Sequence, residues 1–457
     1  MATAASPQDP NRLDELIDDG ERLFVERQPR SAELQERAER SLAGGVTSSW
    51  QIARPQTVWM SHGSGSKIFD ADGGEYVDLH GGYGVGILGH GHPRLQRALA
   101  ERFRRGTHFA QPTEDAIAVA EELARRFGIP LWRFNNSGTE ATMDAVHLMR
   151  AITGRDLIVK IEGCYHGHHD SVMVSVYNSL DEIGPPDRPR NPPSGTGLPA
   201  AITELTLVVP FNDMRALEIM FKERGPEIAG VILEPIMMNA GIIPPDDGYL
   251  EDVCTLAHRY GALVTFDEVK TGVTTSPGGA TELLGVTPDI IAVAKAIGGG
   301  LPCGAIGGSV EVMSAIVDGT YEQVGTFNGN PLTMTAARVA LTEILDESAY
   351  AHLDELRDRM VKGSQEIIDR FDLPAYPVAF GAKGCITFAA APVRNYRGFL
   401  AIDERYSHLH WLVQHNGGVF LPPWGKAEQW MLSVQHTIDD VDRFLDNFDT
   451  FANALRS

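Results

Sequence analysis

Between Trp132 and Ala294 the sequence repeats a single pattern, in which short apolar runs alternate with longer stretches of helical periodicity. The apolar runs are Trp132 to Asn135, Leu157 to Ile161, Leu205 to Val209, Gly230 to Leu233, Leu263 to Phe266 and Ile290 to Ala294. Helical spacing covers about Asp115 to Arg126, Glu140 to Thr153, Met214 to Arg224 and Tyr249 to Tyr260. Several runs are apolar throughout, as strands covered on both faces must be. The pattern predicts an α/β fold built on a mostly parallel sheet with helices on both sides. Ligands of such a sheet gather at the carboxyl ends of its strands.

The 457 residues exceed what one hydrophobic core usually organises, so more than one domain is expected. Residues 1–80 are assigned to an amino-terminal arm and hairpin segment, 81–345 to a large domain and 346–457 to a smaller α+β domain. Asn11 to Leu42 reads as a charge-rich helical arm that packs on a partner, and Lys67 to Leu79 as a hairpin around an Asp-Gly turn. A long helical stretch is expected from Pro331 to about Phe371. Asp181 to Ala200 holds six prolines and three glycines and excludes regular structure, which leaves a disordered segment or an active-site cover.

A formal charge of -22 argues against nucleic-acid partners. Cys164, Cys254, Cys303 and Cys385 lie too far apart for a thiolate zinc motif or a disulfide scaffold, which points to a reducing cytoplasm. No stretch is long and apolar enough for a membrane span, and no export signal opens the chain.

Three places carry chemistry. Asn135 to Ala141 joins a strand to a helix, where free amides and the hydroxyls of Ser137 and Thr139 suit an anion; plain helix capping is the alternative. Asp267 ends one apolar strand and Lys295 ends the next. A desolvated strand-end lysine has a lowered pKa and can form a Schiff base. Pyridoxal phosphate unites the three, with an aldehyde for the lysine, a ring nitrogen for the aspartate and a phosphate for the helix start. Lys270 competes as the lysine, but it lies too close to Asp267 in sequence to span the ring easily.

The runs NSGTEA (136–141), GCYHGHHD (163–170), VILEP with Asn239, DEVKTG (267–272), AKAIGGGLP (294–302) and GTFNGNP (325–331) resemble class III, fold-type I pyridoxal phosphate aminotransferases. Within that class the chain is most similar to the glutamate-1-semialdehyde aminomutase branch. The resemblance implies a seven-stranded, mostly parallel sheet in a large domain and a small α+β domain formed by the two chain ends. It implies that Lys295 forms the Schiff base, Asp267 pairs with the ring nitrogen, Asn239 bonds the ring O3' and Tyr165 stacks on the ring. Ser137, Gly138 and Thr139 match the phosphate cup, and Glu234 a supporting acid. Thr326 matches a residue that reaches the neighbouring subunit's cofactor, which implies a homodimer with shared sites. The activity so implied is amino transfer between an amine or amino acid and a keto acid or aldehyde, in a ping-pong cycle of the aldehyde and amine forms of the cofactor (PLP and PMP). An intramolecular aminomutase and a non-catalytic cofactor-binding protein are the alternatives.

Gly84-Val85-Gly86-Ile87-Leu88-Gly89 matches a dinucleotide fingerprint, but no helix opens on its third glycine. We read it as a tight loop, and the resemblance sets Tyr83 beside the substrate. His90, His92, His166, His168 and His169 are read as structural or supporting residues, with no metal. The aminomutases carry an Arg that grips the substrate carboxylate, and here Gln51 stands in its place, with Arg54 three residues on. Trp50, Tyr83, Trp424 and Glu428 complete the candidate substrate set. The exchange of Arg for Gln, with these aromatics, points to a bulkier or less anionic donor.

Overall fold

The computed structural model describes residues 10–456 apart from Trp424, Ala427 and Glu428. The chain divides into two compact units, one of residues 93–350 with 393–401, the other of residues 1–92, 351–392 and 402–457. Strands in chain order are β1 Met60–Ser64, β2 Lys67–Asp70, β3 Glu75–Asp78, β4 Leu131–Asn135, β5 Leu157–Ile161, β6 Thr206–Val209 and β7 Ile228–Leu233. They continue as β8 Leu263–Asp267, β9 Ile290–Ala294, β10 Gly304–Gly308, β11 Tyr376–Phe380, β12 Lys383–Thr387, β13 Val419–Phe420 and β14 Gln429–Met431.

The larger unit is built on a seven-stranded sheet in the order β4-β10-β9-β8-β7-β5-β6. Strands β5, β7 and β9 are buried at every residue, which is why they read as mostly apolar runs, broken in β5 only by the buried Lys160. Neighbours among β9, β8, β7, β5 and β6 pair in parallel, and β10 runs antiparallel between β9 and β4. Three glycines in GAIGG hide β10 from sequence reading. They have a packing reason: a Cβ on Gly307 would lie 2.8 Å from the Trp132 ring.

The helix Gly138–Thr153 follows β4 and buries Ala141, Ala145, Leu148 and Met149 against the sheet. Its end is set by Gly154 at φ 66°, the left-handed cap that glycine adopts without strain. The expected continuous helix from Pro331 to Phe371 is instead interrupted. Pro331–Val339 passes into a π turn at Ala340–Ile344, and a new helix runs Glu347–Phe371. The interruption is stabilised from outside the helix, because the buried Arg126 donates to the carbonyls of Leu341 (2.7 Å) and Leu345 (2.8 Å).

In the smaller unit β1-β2-β3-β13 form one sheet and β11-β12-β14 another. The hairpin is β2 and β3, with Lys67 opposite Val77. The first helix, Pro10–Glu26, packs on Glu404–Asn416 of its own unit. Its Phe24 is fully buried, with the ring centroids of His415 at 4.5 Å and Trp411 at 5.4 Å. Residues 184–199 form no helix or strand, but the segment is tied down: Ser175 N donates to Pro192 O, and Ser194 N to Met173 O, each at 2.9 Å.

Candidate active site

The parallel strands of the large sheet deliver Asn135, Ile161, Val209, Leu233, Asp267 and Ala294 at their carboxyl ends. At the end of β4 the Ser137 hydroxyl caps the following helix by accepting from Glu140 N at 3.2 Å, while Asn136 N donates to the Glu140 carboxylate at 2.6 Å. Gly138 N and Thr139 N make no hydrogen bond among the described residues and stand at the positive end of the helix. A Cβ on Gly138 would sit 2.8 Å from Val269 Cγ1, so the turn admits only glycine without a shift. Capping leaves room for an anion, since the cap uses Glu140 N and not the amides of Gly138 and Thr139.

Asp267, buried at the end of β8, accepts from Val269 N at 2.9 Å on one oxygen and lies 2.7 Å from His166 Nδ1 on the other. Lys295 follows β9, the strand paired with β8. Its φ of 52° lies in the left-handed region, where a lysine is held only by its surroundings. Burial pushes the Lys295 amine below its usual pKa, and the charges of Asp267 and Glu234 oppose that shift. The Lys295 side chain is partly buried. Its Nζ makes no hydrogen bond or ion pair among the described residues. The Nζ of Lys270, by contrast, donates to Met238 O at 2.8 Å.

Glu234, just past β7, gathers the neighbouring groups. Its carboxylate accepts from Tyr165 N (3.0 Å), Asn239 Nδ2 (2.9 Å) and Met238 N (2.6 Å). One acid thus sets the positions of Tyr165 and Asn239. Tyr165 lies close enough to Asp267 that burial and that charge both raise its phenol pKa. His166 is the residue that sequence reasoning undervalued: its ring is buried on Asp267, and its Nε2 is buried without a hydrogen-bond partner. The motif GCYHGHHD contained the signal, but the partner is 101 residues away.

Thr326 lies on an exposed turn of the larger unit. Trp50, Gln51, Arg54 and Tyr83 belong to the smaller unit; Trp424 and Glu428 lie outside the described residues. Tyr83 OH donates to Trp50 O at 2.9 Å, and the two rings are 5.5 Å apart. Trp50, Gln51 and Tyr83 line a cavity of about 530 Å³ together with Trp59, His80 and Phe420. Gln51 Oε1 accepts from Thr47 N (3.0 Å), Thr47 Oγ1 (2.7 Å) and Ser48 N (3.2 Å), so its amide is engaged in its own loop. Arg54 is exposed. The glycine-rich run is a tight loop, since a Cβ on Gly86 would lie 3.0 Å from Gly81 Cα. Among the described residues no cluster of His, Cys, Asp or Glu could hold a metal.

An unpaired, depressed amine, a buried carboxylate and two free amides at a helix start fit an aldehyde-bearing, cationic, phosphorylated ring. The chain matches the class-III aminotransferase family over residues 51–375 and belongs to it. The glutamate-1-semialdehyde 2,1-aminomutase 2 of Brevibacillus brevis is 37% identical over 91% of this chain and 96% of its own. An omega-transaminase from Sphaerobacter thermophilus has a TM-score of 0.89 at 33% identity, over 93% of this chain and 98% of that one. A glutamate-1-semialdehyde-aminomutase from Pseudomonas aeruginosa PAO1, in complex with PMP, has a TM-score of 0.90 at 27% identity, over 98% of this chain and 100% of that one. The chain is therefore an enzyme of the fold-type I, class III aminotransferase kind, and pyridoxal phosphate is the cofactor these findings indicate.

Proposed function

We propose that the enzyme is an aminotransferase, which moves an amino group from an amine or amino acid donor to a keto acid or aldehyde acceptor. The observation that favours this over intramolecular transfer is Gln51. It stands where an aminomutase carries its carboxylate-gripping Arg, and its amide oxygen already accepts three hydrogen bonds from Thr47 and Ser48. An amide has neither the charge nor the fork of a guanidinium, so a substrate carboxylate is held poorly there. The aromatic residues Trp50 and Tyr83 support a bulkier donor.

Ser137, Gly138 and Thr139 hold the cofactor's phosphate, Asp267 its ring nitrogen, Asn239 its ring oxygen and Tyr165 its face. When bound, pyridoxal phosphate supplies an aldehyde that condenses with amines and a ring that draws electrons from the adjacent carbon. Burial shifts Lys295 toward the neutral amine that would react with that aldehyde, against the opposing charges of Asp267 and Glu234. Once released, Lys295 Nζ takes the proton that leaves the substrate carbon and returns it as general acid. Asp267 keeps the ring nitrogen protonated, and His166 holds the aspartate. Glu234 orients Tyr165 and Asn239 from below.

Two copies share their sites, with Thr326 reaching the partner's phosphate. The apolar residues beside it support a covering surface, since Val324 is 81% and Phe327 57% exposed. All four cysteines are free, in keeping with a reducing cytoplasm. The names of the relatives favour the second reading, an aminomutase. Stoichiometry separates the two. With an amine donor and the aldehyde form of the cofactor, an aminotransferase completes one half-turnover per site and continues only when an acceptor is added. Multiple turnovers of a single amino aldehyde without an acceptor would establish the aminomutase.

A further inference from the structure

Chain from the far carboxyl-terminal region enters the larger unit as a short excursion, residues 393–401. It carries one helical turn, Tyr396–Leu400, capped by Asn395, whose side chain accepts from Gly398 N at 3.1 Å. The Arg397 guanidinium makes a bidentate contact with Glu162, Nε to Oε2 at 2.9 Å and Nη2 to Oε1 at 2.6 Å, and its Nη1 donates to Gly184 O at 2.5 Å. Glu162 is fully buried and Arg397 nearly so. Tyr396 OH donates to Asn178 O at 2.9 Å, and a Cβ on Gly163 would fall 2.3 Å from the Tyr396 ring.

Glu162 and Gly163 are the residues that leave β5 and lead directly into Cys164, Tyr165 and His166. The other flank of that loop is fixed by Lys160, whose buried Nζ donates to Cys164 O (2.9 Å) and Val174 O (2.7 Å). We infer that Arg397 is a positioning residue: through Glu162 it sets the loop that brings Tyr165 and His166 to the site. Among the described residues its hydrogen bonds go to Glu162 and Gly184, and none goes to Tyr165 or His166. This inference rests on the proposed site, in which Tyr165 and Asp267 contact the cofactor. Without Arg397 the buried Glu162 loses its only ion pair among the described residues and keeps only the nearby charge of Lys160, whose Nζ hydrogen bonds go to carbonyls, so the loop is expected to move to find water or another donor.

The test compares the wild-type chain, Arg397→Met and Arg397→Lys, each loaded with pyridoxal phosphate. Visible-range circular dichroism reports how the cofactor ring is held. Hydrogen exchange of residues 162–176 in the cofactor-free chain reports the loop itself. For Arg397→Met the expected result is faster exchange in that loop and a changed visible dichroism. Its kcat should fall about tenfold while KM for the amine donor changes less than about twofold. Arg397→Lys, which keeps the charge without the fork, is expected between the two, and it is the variant read if Arg397→Met does not fold. A loss of thermal stability with unchanged visible dichroism and unchanged kcat would overturn the inference and leave Arg397 merely structural. A wild-type chain that binds no pyridoxal phosphate would instead overturn the reading of the site.

Discussion

His166 Nδ1 and Asp267 Oδ2 lie 2.7 Å apart with both side chains buried, so the carboxylate at the end of β8 is held from the end of β5. A hydrogen bond to a charged group contributes about 1.5–3 kcal/mol, which corresponds to roughly 10- to 100-fold in rate where the charge acts in the transition state. His166→Ala is therefore expected to lose about that much in kcat while still binding the cofactor. Asp267→Asn should fall further. Stopped-flow measurement of the amine half-reaction checks both, and wild-type rates in His166→Ala would show that the contact is only structural.

Glu234 joins three donors, and removing it leaves Tyr165 N and Met238 N to be satisfied otherwise. Glu234→Ala is expected to cost about 1–3 kcal/mol in stability. It should also weaken cofactor binding, because Tyr165 and Asn239 lose their common anchor. Urea unfolding and a cofactor titration measure the two effects separately. Loss of stability with unchanged affinity would leave Glu234 outside the cofactor site.

Acid should destabilise the smaller unit before its carboxylates titrate. Burial pushes His410 and His415 down to about 3 and His436 to about 4, from an ordinary value of 6.5. The folded chain keeps these rings neutral where the unfolded chain protonates them. Between pH 6.5 and 4 the unfolded state then binds more protons, so stability falls as pH falls through that window. Urea midpoints taken across that range should decline, and His410→Leu should show a shallower slope. An identical slope in the variant would exclude His410 from the effect.

Strands β5 and β9 were readable to the residue because burial on both faces demands branched apolar side chains, and those leave an unmistakable run. β10 was not, since its glycines answer to distant neighbours and not to any local preference: Gly307 to the Trp132 ring, Gly304 to the Ser137 backbone. The break near Leu345 was equally hidden, being stabilised by Arg126 from more than two hundred positions away in the sequence. At the site, Asp267 and Lys295 were legible because each ends an apolar strand. The contact of His166 with Asp267 and the occupation of Gln51 by its own loop were not, because neither depends on spacing.

The central claim is that Lys295 is the amine that meets the cofactor's aldehyde. Among the described residues its Nζ has no hydrogen bond or ion pair, and burial lowers its pKa, while Lys270 donates to Met238 O. The direct measurement is borohydride reduction of the enzyme loaded with pyridoxal phosphate, followed by peptide mass spectrometry. A phosphopyridoxyl group on Lys295, absent from Lys295→Ala and retained in Lys270→Ala, is the predicted result. The same group on Lys270, with Lys295→Ala still labelled and still turning over, would contradict the account.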